Sequence, residues 1–120
     1  MAKTEIPDRF RELLPLTPAV FYILFALAEG EKHGYAIMKG VDNISGGQFT
    51  LGPGTLYTTI QRLLELGLIE ETSTSSDSER RRRCYRLSRR GHQIFEAELS
   101  RMESLVRSAQ RRKLVPGEAR

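Results

Sequence analysis

The chain contains few of the residue types that supply reactive or metal-binding side chains. Among its 120 residues it has one cysteine, Cys84, two histidines and no tryptophan. A lone cysteine excludes an intramolecular disulfide, and a thiolate metal cluster would need ligands that the chain lacks. We expect no metal site and no cofactor. Cys84 is interpreted as a small strand residue, with a redox role as the alternative.

Long apolar runs are also missing. The longest, residues 18–28, has 11 residues, whereas a membrane-spanning helix needs about 20. The acidic residues Glu5, Asp8 and Glu12 make the N-terminal segment unlike a secretion signal. The expected location is therefore the reducing cytoplasm.

Basic residues are scarce in the first part of the chain and acidic residues in the last. Residues 1–79 hold 6 basic and 11 acidic side chains, whereas residues 80–120 hold 13 and 4. The net charge of +4 therefore combines −5 and +9. The basic part predicts an anionic partner, but charge alone does not distinguish DNA, RNA, a membrane surface and an acidic protein.

Periodicity and capping residues predict a mainly α chain with a small two-stranded antiparallel wing. Helices are predicted at residues 9–14, 18–28 and 34–44, from residues 52–55 to a stop at Gly67, and from Ser88 to about residue 113. Strands are predicted at 68–74 and 83–87, with an exposed loop at 75–82. The expected organisation is an N-terminal arm and short helix (1–15), a winged helix-turn-helix domain (16–88), a C-terminal dimerisation helix (89–114) and a disordered tail (115–120).

The last helix has the 4-3-4-3 apolar spacing of a coiled coil, flanked by charged residues that include Glu98. This spacing predicts a homodimer, although packing on the chain's own core would also explain it. The short first helix has an apolar face of its own. The predicted dimer interface consists of Phe10, Leu13, Leu14, Phe95, Leu99, Met102, Val106 and Ala109.

The helix at residues 18–28 is apolar on every side, so every side should be covered. In so short a chain, the second cover is expected to be another subunit or a ligand. Phe21 and Phe25 are accordingly candidates for lining a pocket for a small hydrophobic or aromatic effector. A fully packed interface is the alternative.

Two features favour nucleic acid as the anionic partner. The helix that begins near Thr55 carries small hydroxyl side chains and Arg62 on its outer face, with no acid before Glu65. Such a helix can lie in the major groove, where base edges are distinguishable. Seven arginines and no acid lie in residues 80–90. Their position at the hairpin suits phosphate and minor-groove contacts.

The chain resembles the PadR family of winged-helix transcriptional regulators over roughly residues 17–95. Its compact C-terminal part, a single short helix, is similar to the smaller branch of that family. The resemblance is carried by Leu27-Ala28-Glu29-Gly30 with His33-Gly34-Tyr35-Ala36-Ile37, by Gly54-Thr55-Leu56-Tyr57, by residues 63–69, and by Tyr85-Arg86-Leu87-Ser88 with Gly91.

The resemblance implies a homodimer that binds a pseudo-palindromic DNA operator, usually as a repressor. An interaction module that binds RNA or an acidic protein is the alternative, and no enzymatic activity is expected. Tyr57 could instead be a packing residue, and Tyr35 could brace the fold. His33 is interpreted as a helix-start residue rather than a metal ligand. The DNA-binding residues are predicted to be Tyr35, Gly54, Thr55, Tyr57, Thr58, Arg62, Arg80, Arg81, Arg82 and Arg83.

Overall fold

A computed structural model describes residues 6–72 and 83–116 of the chain. It confirms a mainly helical fold with a small antiparallel sheet. The predicted loop at 75–82, the first five residues of the arm and the last four residues of the tail lie outside the described residues, and the domain boundaries stay predictions. The elements are α1 (Asp8–Arg11), α2 (Pro18–Ala28), β1 (Lys32–His33), α3 (Gly34–Ile44), α4 (Pro53–Glu65), β2 (Ile69–Thr72), β3 (Cys84–Leu87) and α5 (Arg89–Arg111).

Side-chain hydrogen bonds cap the starts of three of the five described helices. Thr17, His33 and Ser88 each precede a helix and accept a hydrogen bond from a backbone N–H of its first turn, at 3.3, 3.3 and 3.0 Å. Such caps satisfy N–H groups that have no partner inside the helix. Gly67 follows α4 with a φ of 76°, a conformation that glycine adopts without strain. His33 is thus a helix cap, as the sequence predicts.

The sheet has a third strand that the sequence does not predict. β1 pairs with β3, and β3 pairs with β2, both in antiparallel fashion. β1 has two residues, too few to produce an alternating pattern, and tertiary pairing therefore defines it. Its pairing ties the start of α3 to the base of the wing.

The core lies where the inner faces of α2, α3, α4 and α5 meet the sheet. It contains fully buried aliphatic side chains from each of these elements. Gly91 lets α5 lie directly on the chain that enters β2, since a β-carbon there would overlap the carbonyl oxygen of Leu68. The largest fully buried apolar side chains are Ile23, Leu24, Ile37, Leu56, Leu63, Leu68, Ile69, Ile94 and Val41.

The chain itself supplies much of the second cover of α2, which the sequence assigned to a subunit or ligand. The rings of Phe21 and Phe25 lie 5.8 and 5.3 Å from the ring of Phe95 on α5. On the same helix, Tyr22 stacks on Phe49 at 5.2 Å. These three α2 aromatics remain half-buried. The surface left to an outside partner is therefore smaller than expected.

The structure divides the predicted dimer interface into two groups. Phe10 and Phe95 belong to the chain's own core and are each 7% exposed, so they offer little surface to a partner. Leu13 and Leu14 are half-buried against that core. Further along α5, Leu99 and Val106 are exposed, and Met102 and Ala109 are half-buried. The apolar side chains of α5 therefore pack in the chain's own core near the start of the helix and form an exposed stripe farther along it.

Glu98 is buried, although the sequence suggested a charged flank of α5. Its side chain is 1% exposed. Its carboxylate accepts a hydrogen bond of 2.9 Å from the backbone N–H of Leu16, in the segment between α1 and α2. Arg101 donates two more, at 2.7 and 3.1 Å. Glu98 therefore holds the segment before α2 against α5.

Acid should weaken this attachment. The bonds from Arg101 chiefly, and that from Leu16, hold the pKa of Glu98 below its ordinary value. A carboxyl group with a lower pKa in the folded state stabilises the fold above its unfolded pKa, and this contribution is lost as pH falls through the folded pKa. We expect Glu98→Gln to lower the free energy of unfolding by about 1–3 kcal/mol at neutral pH. The difference should shrink towards about pH 3, below the ordinary pKa of glutamate.

Urea unfolding across this pH range measures the effect. Glu103→Gln is the matched control, because Glu103 pairs with Arg107 on the exposed face of the same helix. Exposed pairs contribute little, so its unfolding free energy should follow that of the unsubstituted chain. A constant difference between Glu98→Gln and the unsubstituted chain at every pH would contradict the assigned role.

Candidate nucleic-acid interface

Helices α3 and α4 form a helix-turn-helix pair, and α4 presents a polar outer face. Leu56, Ile60 and Leu63 of α4 are buried in the core. At the intervening positions, Tyr57, Thr58, Gln61 and Arg62 are exposed and Thr59 is half-buried, and none is acidic before Glu65. Five of the outer residues line an open depression of about 580 Å³: Tyr57, Thr58, Gln61, Arg62 and Glu65.

The predicted α4 residues therefore lie on one accessible surface. Gly54, Thr55, Tyr57, Thr58 and Arg62 are all exposed. Gln61 belongs to the same surface, although the sequence analysis did not include it among the site residues. Its position three residues after Thr58 is the helical spacing that could have identified it.

Two of the motifs that carry the family resemblance contact each other. A β-carbon at Gly34, the first residue of α3, would overlap the hydroxyl end of Tyr57 on α4. The Tyr57 side chain is nevertheless 51% exposed. Tyr57 thus packs on the start of α3 while keeping an exposed surface, and its contact with DNA stays a prediction.

Tyr35 is exposed at the start of α3, beside Lys39. The Lys39 ammonium lies 5.5 Å from the centre of the Tyr35 ring, within the range of a cation–π contact. This places a positive charge beside a residue that the sequence assigned to DNA contact. Lys39 was not among the predicted site residues.

The base of the wing has ion pairs on its strands. Arg83 is exposed, and its Nε lies 3.7 Å from the Glu71 carboxylate. Across the same two strands, Arg86 Nε donates a hydrogen bond of 3.0 Å to Glu70. The predicted contacts Arg80, Arg81 and Arg82 lie outside the described residues. Part of the positive charge at the wing base is therefore offset within the chain.

Cys84 lies in the middle strand of the sheet, opposite His33 on one side and Thr72 on the other. It is half-buried. Within residues 6–72 and 83–116, no three histidine, cysteine or acidic side chains are grouped so that they could hold a metal ion. No helix in those ranges is both long and apolar enough to cross a membrane.

A helix-turn-helix pair followed by an antiparallel hairpin and a further helix defines a winged helix-turn-helix protein. The model of the transcriptional regulator PadR-like family matches residues 23–97. The chain belongs to that family of transcriptional regulators, as its sequence motifs predict.

Individual relatives agree with this assignment. The transcriptional regulator YqjI of Escherichia coli is 30% identical over 83 residues, which are 69% of this chain and 38% of that protein. The matched segment spans only 24% and 38% of the curated relatives that it resembles. The resemblance to these larger proteins is thus limited to one part of each.

Solved structures share the fold. A transcriptional regulator from Clostridium thermocellum has a TM-score of 0.63 at 21% identity and covers 90% of this chain and 97% of its own. Bacillus subtilis PadR in complex with operator DNA has a TM-score of 0.63 at 24% identity, over 71% of this chain and 47% of that one. At these identities the likeness establishes the fold alone.

The contact between Gly34 and Tyr57 can be tested by a double-mutant cycle. Gly34→Ala should lower the free energy of unfolding by about 1 kcal/mol, because the new methyl group displaces the Tyr57 ring. In a Tyr57→Ala background most of this cost should disappear. Chemical denaturation of the four proteins measures the coupling.

Tyr35→Ala is the matched control background. Tyr35 is the exposed aromatic residue next to Gly34 in sequence, but it is not among the atoms that a β-carbon at Gly34 would meet. The cost of Gly34→Ala should persist in that background. An equal cost in the Tyr57→Ala and Tyr35→Ala backgrounds would refute the contact.

Proposed function

We propose that the chain is a DNA-binding transcriptional repressor, and not an enzyme, which acts as a homodimer on a pseudo-palindromic operator. The observation that carries the proposal is the outer face of α4, which is exposed, free of acidic side chains over its first three turns and open at Gly54. Bacillus subtilis PadR, whose structure contains operator DNA, supports the same use of this fold.

Gly54 is informative because the fold does not require a glycine there. It lies in the first turn of α4 without a positive φ, and a β-carbon at this position would meet no atom within 4 Å. Alanine would be favoured by about 1 kcal/mol in a helix interior. A nucleic-acid backbone that approaches closely would explain the glycine.

The start of α4 supports phosphate binding in a second way. Its N-cap residue is Gly52, and no side chain caps its first turn. Helices α2, α3 and α5 all have such a cap. Backbone N–H groups at a helix start, together with the helix dipole, attract phosphate. In the proposed complex, this end of α4 meets the DNA backbone while Thr55 and Thr58 approach base edges.

The exposed stripe on α5 supports the homodimer. At 23 residues, α5 is about 34 Å long, and its first turns lie on the chain's own core. From Leu99 onwards, Leu99, Leu105 and Val106 are exposed, at 39%, 58% and 53%, whereas Met102 and Ala109 are half-buried. Pairing of two such stripes would bury them and set the separation of the two α4 helices.

Release by a small hydrophobic effector is the remaining part of the proposal. Phe21 and Phe25 are half-buried, and their rings form one cluster with Phe95 of α5. A ligand inserted there would push α2 and α5 apart. Such a shift would alter the spacing of the two α4 helices in the dimer. The effector would then bind one arrangement of the dimer better than the other, as effector control requires.

Selection of DNA from a random duplex library by the purified protein tests the proposed function. The enriched sequences should contain two inverted half-sites whose centres lie about 34 Å apart, or about one helical turn. Affinity for the selected duplex should exceed that for random duplex by at least about a thousandfold. Equal binding to any duplex, or preferred binding to RNA or to an acidic protein, would favour the interaction-module alternative.

Gly54→Ala provides the mutational arm of this experiment. We expect it to leave the melting temperature unchanged or raised, but to weaken binding to the selected duplex by about tenfold or more, or about 1.4 kcal/mol. Ser100→Ala, at an exposed position of α5, is the control for an alanine substitution outside the proposed DNA surface. Unchanged DNA affinity in Gly54→Ala would contradict the close backbone approach.

Val106→Glu tests the dimer. Burial of a carboxylate in the paired stripe should convert the protein to a monomer at micromolar concentration, because a buried unpaired charge costs several kcal/mol. Helix content should be retained, since Val106 is exposed in the single chain. Ser104→Glu, at an exposed position on another side of α5, should remain dimeric. Sedimentation equilibrium measures both, and a dimeric Val106→Glu protein would refute the proposed interface.

A further inference from the structure

We propose that Glu71 limits the sequence-independent affinity of the wing for DNA by offsetting the charge of Arg83. The inference rests on the proposed DNA-binding function and assigns a further residue to that surface. Glu71 was not a predicted site residue, because a single acid in a strand has no distinctive sequence pattern. Its significance comes from the register of the sheet.

The register places Glu71 on the inner face of the sheet. Side chains alternate between the two faces of a strand, so Ile69 and Glu71 share one face of β2. They pair with Leu87 and Tyr85 of β3. Because Ile69, Leu87 and Tyr85 are buried in the core, this face is the one turned towards the helices.

At the wing end of this inner face, Glu71 meets Arg83. Arg83 precedes Tyr85 by two residues and so belongs to the same face. Its Nε lies 3.7 Å from Glu71 Oε2, and both side chains are accessible, at 68% and 39%. An anion that approaches Arg83 therefore also encounters the carboxylate of Glu71.

Helix α4 also contributes to the surroundings of Glu71, Arg83 and Tyr85. Burial raises the pKa of the Tyr85 hydroxyl, and the nearby Glu71 carboxylate raises it further, while Arg83 lowers it. Tyr57 of α4 also acts on this hydroxyl. Glu71 and Tyr57 of α4 thus both act on Tyr85, the residue opposite Glu71 in the sheet.

Glu70 offers a contrast within the same strand. It points to the opposite face of β2, where its carboxylate accepts a hydrogen bond of 3.0 Å from Arg86. Glu70 is therefore paired with an arginine of β3, and Glu71 with the arginine directly before it. They differ in the face of the sheet, and that difference separates a local effect at the DNA surface from a general change in net charge.

The physical effect is a reduction in the number of phosphates that the wing neutralises. Each phosphate contact contributes about 0.9 to the slope of log affinity against log salt concentration. While Glu71 is ionised, Arg83 supplies little net charge to the DNA. Glu71→Gln keeps the size and polarity of the side chain but removes its charge, so Arg83 should then count as one additional phosphate contact.

Fluorescence anisotropy with a random-sequence duplex of about 30 base pairs, long enough for two half-sites, measures this effect over a salt series. At about 0.1 M salt, Glu71→Gln should bind more tightly than the unsubstituted protein by about five- to tenfold for each protomer on the duplex, with a slope steeper by about 0.9 per protomer, or about 1.8 for the proposed dimer. Glu70→Gln should stay within about twofold. Arg83→Ala in the Glu71→Gln background should abolish the gain.

The other outcomes are distinct. Weaker binding by Glu71→Gln would mean that the carboxylate orients Arg83 towards phosphate and would overturn the proposal. Equal gains in Glu71→Gln and Glu70→Gln would reduce the effect to net charge and overturn it as well. If the unsubstituted protein binds DNA and Glu71→Gln binds it with the same salt slope, only the inference about Glu71 fails. If no protein in the series binds any duplex, the proposed function fails with it.

Discussion

The buried carboxylate of Glu98 is the constraint on which the arrangement of the helices depends. It joins the backbone of Leu16, just before α2, to Arg101 on α5. A buried carboxylate is stable only when its oxygens are hydrogen-bonded and its charge is balanced. Here Leu16, 82 residues from Glu98 in sequence, supplies a hydrogen bond, and Arg101, 3 residues from Glu98, supplies both hydrogen bonds and the balancing charge. The orientation of α5 relative to the helix-turn-helix is thereby specified by geometry that an apolar contact would not impose.

The hydrogen bond between Leu16 and Glu98 connects the segment before α2 to α5, and α2 in turn supports α4. α5 is held to α2 by Glu98 and by the ring contacts of Phe95, and α2 forms part of the core that supports α4. Any change in the angle between α5 and α2 must therefore rearrange polar and aromatic contacts together. The proposed effector control would require such a coupled rearrangement, because packed interiors do not deform continuously.

Much of the fold could be predicted from the sequence because its signals are local. Thr17, Ser88 and Gly67 mark helix ends through interactions within a few residues. The outer face of α4 could be predicted for the same reason, since helical spacing alone sorts its buried and exposed residues. The first helix is the exception: local spacing predicted residues 9–14, whereas α1 spans Asp8–Arg11.

The features that could not be predicted depend on distant partners. β1 exists because Lys32 and His33 pair with a strand about fifty residues later. The polar character of Glu98 gave no sign of its burial, and the apolar spacing at Phe95 does not distinguish the chain's own core from a partner helix. Likewise, the fit of Tyr57 against Gly34 connects two motifs that the sequence presents separately.

Charge is distributed unequally between α4 and the wing. The outer face of α4 is nearly neutral and so adds little attraction for phosphate, whereas arginines are concentrated near the wing. On the strands of the wing, Glu70 and Glu71 offset Arg86 and Arg83. A regulator must choose one site among many competing sequences, and every uniform gain in phosphate affinity strengthens binding to all of them. In the proposed complex, Glu71 therefore lowers the affinity for every sequence alike and leaves the choice among sites to the outer face of α4, while Glu70 lies on the opposite face of the strand.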